Sequence, residues 1–347
     1  MSTPSTDLEP AEGSTPPGET RLLLRAMRHW YDQAGIRVDP RRILEVELQA
    51  GRNYWPPNLA PHVTHPVLDQ LSGQARQELL IRQLYQYLQF TANYELSVIN
   101  RATGMIANNR SGIPLSTQVR LDAHKIYTDE GYHALYSSDM IRQVERTTGV
   151  RFHEYDFDRF VRYLDELEQQ TPELRSVVQM LVVVVFETLI TGTLTQIPKD
   201  GNVVEAVRDI VTDHAEDEGR HHAFFSGFFP LLWGTLDARQ RTQLGRLVPQ
   251  MIVRPLEPPE AVIRASLERA GLGRDEVEQV VTESYPRDAV MAGIRRTARS
   301  TLRLFGNHGL YDDREVRHAF DAAGLLVEES ELYEADRDGA GNGDGRA

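Results

Sequence analysis

Two pentapeptides, Asp-Glu-Gly-Tyr-His at 129–133 and Asp-Glu-Gly-Arg-His at 217–221, set a carboxylate and an imidazole at one shared spacing. Residues three apart on a helix lie on one face, so Glu130 projects with His133 and Glu218 with His221. A single Glu-x-x-His says little, because about one match is expected by chance in a chain of this size. Glu315 and His318 are such a match, without a preceding Asp and outside the long helices, and read as solvated helix surface. The other two are set apart by their company. Glu95 lies on the predicted helix before the first copy, and Glu187 on the helix before the second, directly after Val-Val-Val-Val-Phe. A carboxylate behind such an apolar run is buried, which is costly unless it is paired or metal-bound. The order Glu, Glu-x-x-His, Glu, Glu-x-x-His, each on its own helix, is the ligand pattern of a two-iron carboxylate bundle.

The chain has no cysteine, so a metal must be held by nitrogen and oxygen, and disulfide and iron–sulfur chemistry are excluded. Four carboxylates neutralise two divalent cations, and imidazole among the donors favours iron over magnesium or calcium. Asp129 and Asp217 are placed to hold a histidine N–H, either on the same helix or across the bundle; plain surface charge is the alternative. Gly131 and Gly219 each weaken a helix by roughly 1 kcal/mol against Ala, which close approach of a neighbouring helix would offset. Chance composition, with 25 glycines in the chain, is the other explanation. His214 precedes Glu218 by four and His221 by seven, one stripe of one helix, and reads as a seventh ligand rather than a core or surface histidine. His222 points roughly 100° away from His221 and stays outside the site.

The elements that must carry these residues are helices. Apolar positions recur at threes and fours from Ser72 to about Asn108. After the break at 108–114, Pro114 is placed to open a helix running to about Thr147. Further helices are predicted near 155–169, from Pro172 towards Thr195, over 203–226 with a stop before Pro230, and as several shorter pieces over 235–320. The valine run has strand propensity, but its helical neighbours make it a buried helix. The fold expected is all-α, a ferritin-like di-iron four-helix bundle with additional helices. One domain is expected over 20–334, with disordered tails at 1–19 and 335–347.

The net charge of −13 over 347 residues argues against a nucleic-acid partner. The longest apolar run, 180–186, is too short to span a bilayer, and the N-terminus lacks a signal pattern, so a cytoplasmic protein is expected.

Glu95, Asp-Glu-Gly-Tyr-His (129–133), Phe-Glu-Thr-Leu-Ile-Thr-Gly-Thr-Leu (186–194) and His-Ala-Glu-Asp-Glu-Gly-Arg-His-His (214–222) together resemble the di-iron arylamine N-oxygenases, the family that includes p-aminobenzoate N-oxygenases. The likeness covers about 75–226. It implies iron-ligand roles for Glu95, Glu130, His133, Glu187, His214, Glu218 and His221, two iron ions, and O2 as co-substrate. It also implies oxidation of an aryl amine to the hydroxylamine, nitroso and nitro compounds in natural-product biosynthesis. An apolar pocket is expected beside Glu187. Tyr87 and Thr91, on the turns before Glu95, would line it, with core packing as the alternative. Arg299 would anchor a substrate carboxylate, with a surface salt bridge as the alternative. Electrons must come from a reductase or ferredoxin, and the family suggests a homodimer. Rival readings are a di-iron oxygenase acting on carbon or an aliphatic amine, and a ferritin-like ferroxidase. A radical-generating subunit would need a tyrosine near the irons; Tyr94 and Tyr132 adjoin ligands, but side chains one apart on a helix diverge.

Overall fold

The computed structural model describes residues 21–45, 51–189, 194 and 197–326; both expected tails lie outside the described residues. The described chain opens with a strap of three short helices, α1 (Arg21–Ala26), α2 (Trp30–Gln33) and α3 (Gly35–Val38), continuing without regular structure to residue 45. The long helix α4 (Gly73–Tyr94) starts where Ser72 Oγ accepts the Ala75 N–H at 3.1 Å, a side-chain cap for an otherwise unpaired donor. It passes through a π turn (Glu95–Ile99) into α5 (Asn100–Ala107). Next come α6 (Thr117–Thr148), α7 (Asp158–Gln170), α8 (Arg175–Leu189) and α9 (Glu205–Gly234). The C-terminal part adds α10 (Ala238–Gly245), α11 (Val248–Leu256), α12 (Glu260–Arg269), α13 (Arg274–Ser284), α14 (Arg287–Asn307) and α15 (Arg314–Ala322).

The fold is all-α, as the periodicity predicts, and no strand occurs among the described residues beyond an isolated bridge, Asn53 to Val203. Its core is a ferritin-like four-helix arrangement. The α4–α5 rod packs along α6, α8 packs along α9, and the pairs meet through α5 with α8 and α6 with α9. Two apolar clusters fill it. One gathers Leu79–Leu88 of α4 with Met140–Val144 of α6, Val203 and Val204, and Ala206–Val211 of α9. The other gathers Ile99–Ala107, Val119–Ile126, Val178–Leu189 and Phe224–Trp233. Glu130 and His133 on α6, and His214, Glu218 and His221 on α9, sit between the two clusters along their helices, while Glu95 and Glu187 lie at the edge of the second.

The valine run is helical. From Met180 to Leu189 every residue of α8 is buried, and α9, α11 and α14 pack around it, so burial on all sides overrides β-propensity. Three expectations are corrected. Pro114 does not open α6; Ser116 does, its Oγ accepting the Val119 N–H at 3.2 Å. The helix predicted to stop before Pro230 runs through it to Gly234, because Phe228, Phe229, Leu232 and Trp233 are buried along that last stretch. Close packing at Gly131 and Gly219 is also absent: a Cβ at either position would meet nothing within 4 Å, and nothing in the structure explains these two glycines.

Candidate metal centre

The seven predicted ligands are delivered by four parts of the bundle. The π turn begins at Glu95; one residue more per turn than an α-helix re-aims the side chains beyond it, and such turns cluster at functional sites. Glu130 and His133 come from the middle of α6, Glu187 from the end of α8, and His214, Glu218 and His221 from one stripe of α9. All seven side chains are buried, none more than 3 % exposed. Their ligand-type atoms fall into two groups, Glu95–His133–His214–Glu218 and Glu130–Glu187–Glu218–His221, with all atoms of a group within 4.8 Å of one another. Glu218 belongs to both, and Glu130 Oε2 also reaches within 3.4 Å of His133 Nδ1.

The closest approaches are His214 Nε2 to Glu95 at 3.1 Å and to Glu218 at 3.2 Å, and His221 Nδ1 to Glu130 at 3.0 Å. These are not satisfied hydrogen bonds. Glu95 Oε2, both Glu130 oxygens, Glu187 Oε2, His133 Nδ1, His214 Nε2 and His221 Nδ1 are buried without a hydrogen-bonded partner. Buried polar atoms are almost always paired, so unpaired lone pairs converging on two points fit a pair of cations. The donor set, three imidazoles and four carboxylates with one nitrogen-rich group, suits a transition metal such as iron.

The outward ring nitrogens define the tautomers. His133 Nε2–H donates to Asp217 Oδ2 at 3.1 Å, and His221 Nε2–H donates to Asp129 Oδ2 at 3.2 Å. Each aspartate therefore serves the histidine of the opposite motif helix, the cross-bundle choice of the two that the spacing left open. With Nε2 protonated, the Nδ1 lone pair of both rings faces the cluster. His214 is turned the other way, with Nε2 inward and Nδ1 3.5 Å from the Tyr87 hydroxyl. Arg220 also pairs with Asp217.

Protons take up the charge when no cation is present. Burial pushes the His133 imidazole down, but Glu95 and Glu130 outweigh it and carry the group well above its usual range. His221 behaves alike, burial opposed by Glu218 and Glu130. Burial, then the Glu218 and Glu130 charges, raises Glu187 well above the carboxylate range. Burial raises Glu95 too, against the pull of His133. At Glu218 burial is overcome by His221 and His214, which hold it well below the usual range.

Of the remaining predicted residues, Tyr87 and Thr91 lie against the Glu95–His214 side, and burial raises the Tyr87 phenol. Arg299 stands one helix away on α14, whose Ser300 and Thr301 hydrogen-bond Thr188 beside Glu187. Where a pocket beside Glu187 is expected, Tyr94 stacks on Phe186 with ring centroids 3.7 Å apart, and Phe90 and Phe160 close around them. Residues 190–193, which follow Glu187 closely, lie outside the described residues. A cavity of about 210 Å³ does open between Arg41–Arg42 and α6 and α9, with Tyr136 on its wall. The Tyr136 ring is 5.4 Å from that of His133. Sequence reasoning passed over Tyr136, though its position three residues after His133 on the same helix was a usable signal. Glu315 is exposed and pairs with Arg246, and His318 is exposed, as expected of solvated helix surface.

No curated protein matches the chain. No helix among the described residues is long and apolar enough to cross a membrane. The family model for P-aminobenzoate N-oxygenase AurF matches residues 20–307, well over half of the chain and a range that includes all seven converging side chains. With the helical fold and the paired donor groups, that match places the chain in a family of oxygenases: it belongs to the p-aminobenzoate N-oxygenase AurF family.

Proposed function

We propose that this protein is a di-iron N-oxygenase that uses O2 to convert an aryl amine to the hydroxylamine, and onward through the nitroso to the nitro compound. The observation that carries the reading is the pair of donor groups joined at Glu218. In this reading Glu95, His133, His214 and Glu218 hold one iron, and Glu130, Glu187, Glu218 and His221 hold the other. Bound Fe(II) would supply the electrons and Lewis acidity that make O2 reactive towards nitrogen. The chain's own contribution is to fix charge and exclude water. Four carboxylates balance two divalent ions, and a second imidazole at the first position makes the two irons inequivalent. The apolar clusters above and below keep the site dry, which strengthens every electrostatic contact inside it.

The aromatic side chains Phe90, Tyr94, Phe160 and Phe186, packed together beside Glu187, favour an aryl ring as the substrate body. Arg299, on the helix behind Thr188, is assigned to a substrate carboxylate, and Tyr87 and Thr91 to the wall on the Glu95 side. Electrons for each further turnover come from a separate reductase or ferredoxin, and a homodimer is the assembly proposed. The test is anaerobic loading with Fe(II), followed by O2, a reductant and a small panel of aryl amines, with products read by mass spectrometry. Two irons per chain and amine-dependent oxygen gain are expected. Iron uptake at that ratio with no oxidised amine would leave the metal centre standing and sink N-oxygenation.

A further inference from the structure

Two of the three histidines in the cluster are held from outside by a chain of contacts that ends in the N-terminal strap. The Trp30 indole N–H lies 2.8 and 2.7 Å from the two Asp129 oxygens, and Asp129 accepts from His221 Nε2. The Gly35 backbone N–H lies 3.1 and 3.3 Å from the two Asp217 oxygens, and Asp217 accepts from His133 Nε2. Trp30 and Asp129 are buried, so this is no rim contact. Gly35 can approach so closely only because it lacks a side chain: a Cβ there would lie 2.8 Å from Asp217 Oδ2 and 2.7 Å from Asp39 Oδ2.

The strap grips the same two helices further along. Arg41 pairs with Asp139 of α6 at 2.8 Å, Arg42 pairs with Asp213 of α9 at 2.7 Å, and the Leu44 N–H donates to Gln143 Oε1 at 2.8 Å. On its other flank, the buried Lys125 of α6 donates to the Met27 carbonyl at 3.0 Å. The strap thus binds α6 and α9 together over the outer face of the cluster, reaching one aspartate on each.

We propose that the strap is a working part of the metal centre, with Trp30 and Gly35 as positioning residues that fix Asp129 and Asp217. Through those aspartates they aim Nδ1 of His221 and Nδ1 of His133, one metal position each. The proposal rests on the metal-centre reading and deepens it. A carboxylate held by a second donor cannot rotate its plane, and the imidazole that donates to it then keeps one orientation. Because the two connections cross, each outer contact addresses a different donor group. Trp30 serves the group of Glu130, Glu187, Glu218 and His221; Gly35 serves the group of Glu95, His133, His214 and Glu218.

The experiment uses the full chain and Co(II) as the probe, following uptake by visible absorption and release into excess chelator over time. The wild-type chain is expected to bind two Co(II). Trp30→Phe keeps an aromatic filler but removes the N–H, and should speed the release of one ion about tenfold, the low end of the effect of losing such a partner, while the other leaves at the wild-type rate. Gly35→Ala should speed the other ion instead, and the double variant both. Should Trp30→Phe fail to fold, Asp129→Asn, of the same size, replaces it and should speed the same ion. Wild-type release rates in both variants would overturn the proposal, as would equal acceleration of both ions by either one, the signature of general loosening. A wild-type chain that takes up no Co(II) would instead remove the metal-centre reading, and the proposal with it.

Discussion

In the proposed metal centre protons and metal ions would compete for the same atoms, and the direction of that competition follows from single residues. Burial opposes the charge on His133 and His221, but the carboxylates around them win, so both imidazoles keep their protons above the usual histidine range. Glu187 and Glu95 also hold protons longer than ordinary carboxylates, through burial first. A cation needs every one of these donors deprotonated, so binding must expel protons, and affinity must rise with pH until the raised groups have lost theirs. Calorimetric titration with Mn(II) or Co(II) in buffers of different ionisation enthalpy should show proton release at pH 7, with tighter binding at pH 8 than at pH 6. Affinity independent of pH would contradict the assignment. Glu187→Gln separates the two states. Without metal, burial and the Glu218 and Glu130 charges favour the neutral Glu187 carboxyl, so glutamine should change the metal-free melting temperature little while weakening one of two metal-binding steps about tenfold or more. Equal loss at both steps would argue against two distinct groups. That these seven side chains converge was legible in the sequence, because helical spacing is a strong constraint on side chains that must meet. Trp30 and Gly35 were not, since no periodicity ties a strap residue to a helix far along the chain, and the partner of each aspartate was undecided until the helices were set side by side.

Helices were easier to foresee than their ends and irregularities. The Ser72 cap and the apolar spacing beyond it mark α4, whereas the π turn at Glu95 leaves no trace in a pattern read at 3.6 residues per turn. Pro230 reads as a stop because proline removes an N–H and crowds the preceding turn, yet tertiary burial of the aromatic residues around it carries α9 onward. Glycines show the same limit, since spacing cannot tell a close crossing from open space. At Gly227 a Cβ would lie 2.9 Å from Leu23 N and 3.0 Å from Leu23 Cα, backbone atoms of α1 that cannot swing away. Gly227→Ala is therefore expected to destabilise the metal-free protein by about 1–3 kcal/mol, as overpacking does. Gly219→Ala, which meets nothing, should stabilise it by up to roughly 1 kcal/mol through helix propensity. Urea unfolding of both variants checks the contrast; stabilisation by Gly227→Ala would mean that α1 is not seated on α9 as described.

The molecule as a whole is two apolar clusters clasped around a polar layer, and in that arrangement the proposed cations would be a structural as well as a chemical component. Where the two clusters meet lie four buried carboxylates whose mutual repulsion only protons or metal can offset. The net charge of −13 adds a long-range field that favours cation approach. A ligand present at a thousandfold excess over its dissociation constant stabilises the folded state by about 4 kcal/mol per site. For a chain of this size that raises the melting temperature on the order of 10 °C. Calorimetry of Fe(II)-loaded and chelator-treated protein under anaerobic conditions should show that gap, and it should widen from pH 6 to pH 8 as fewer protons compete for the donors. Restoring the metal should restore the transition. If the two preparations melt together at both pH values, the clusters alone carry the fold, and the layer between them is not a metal centre.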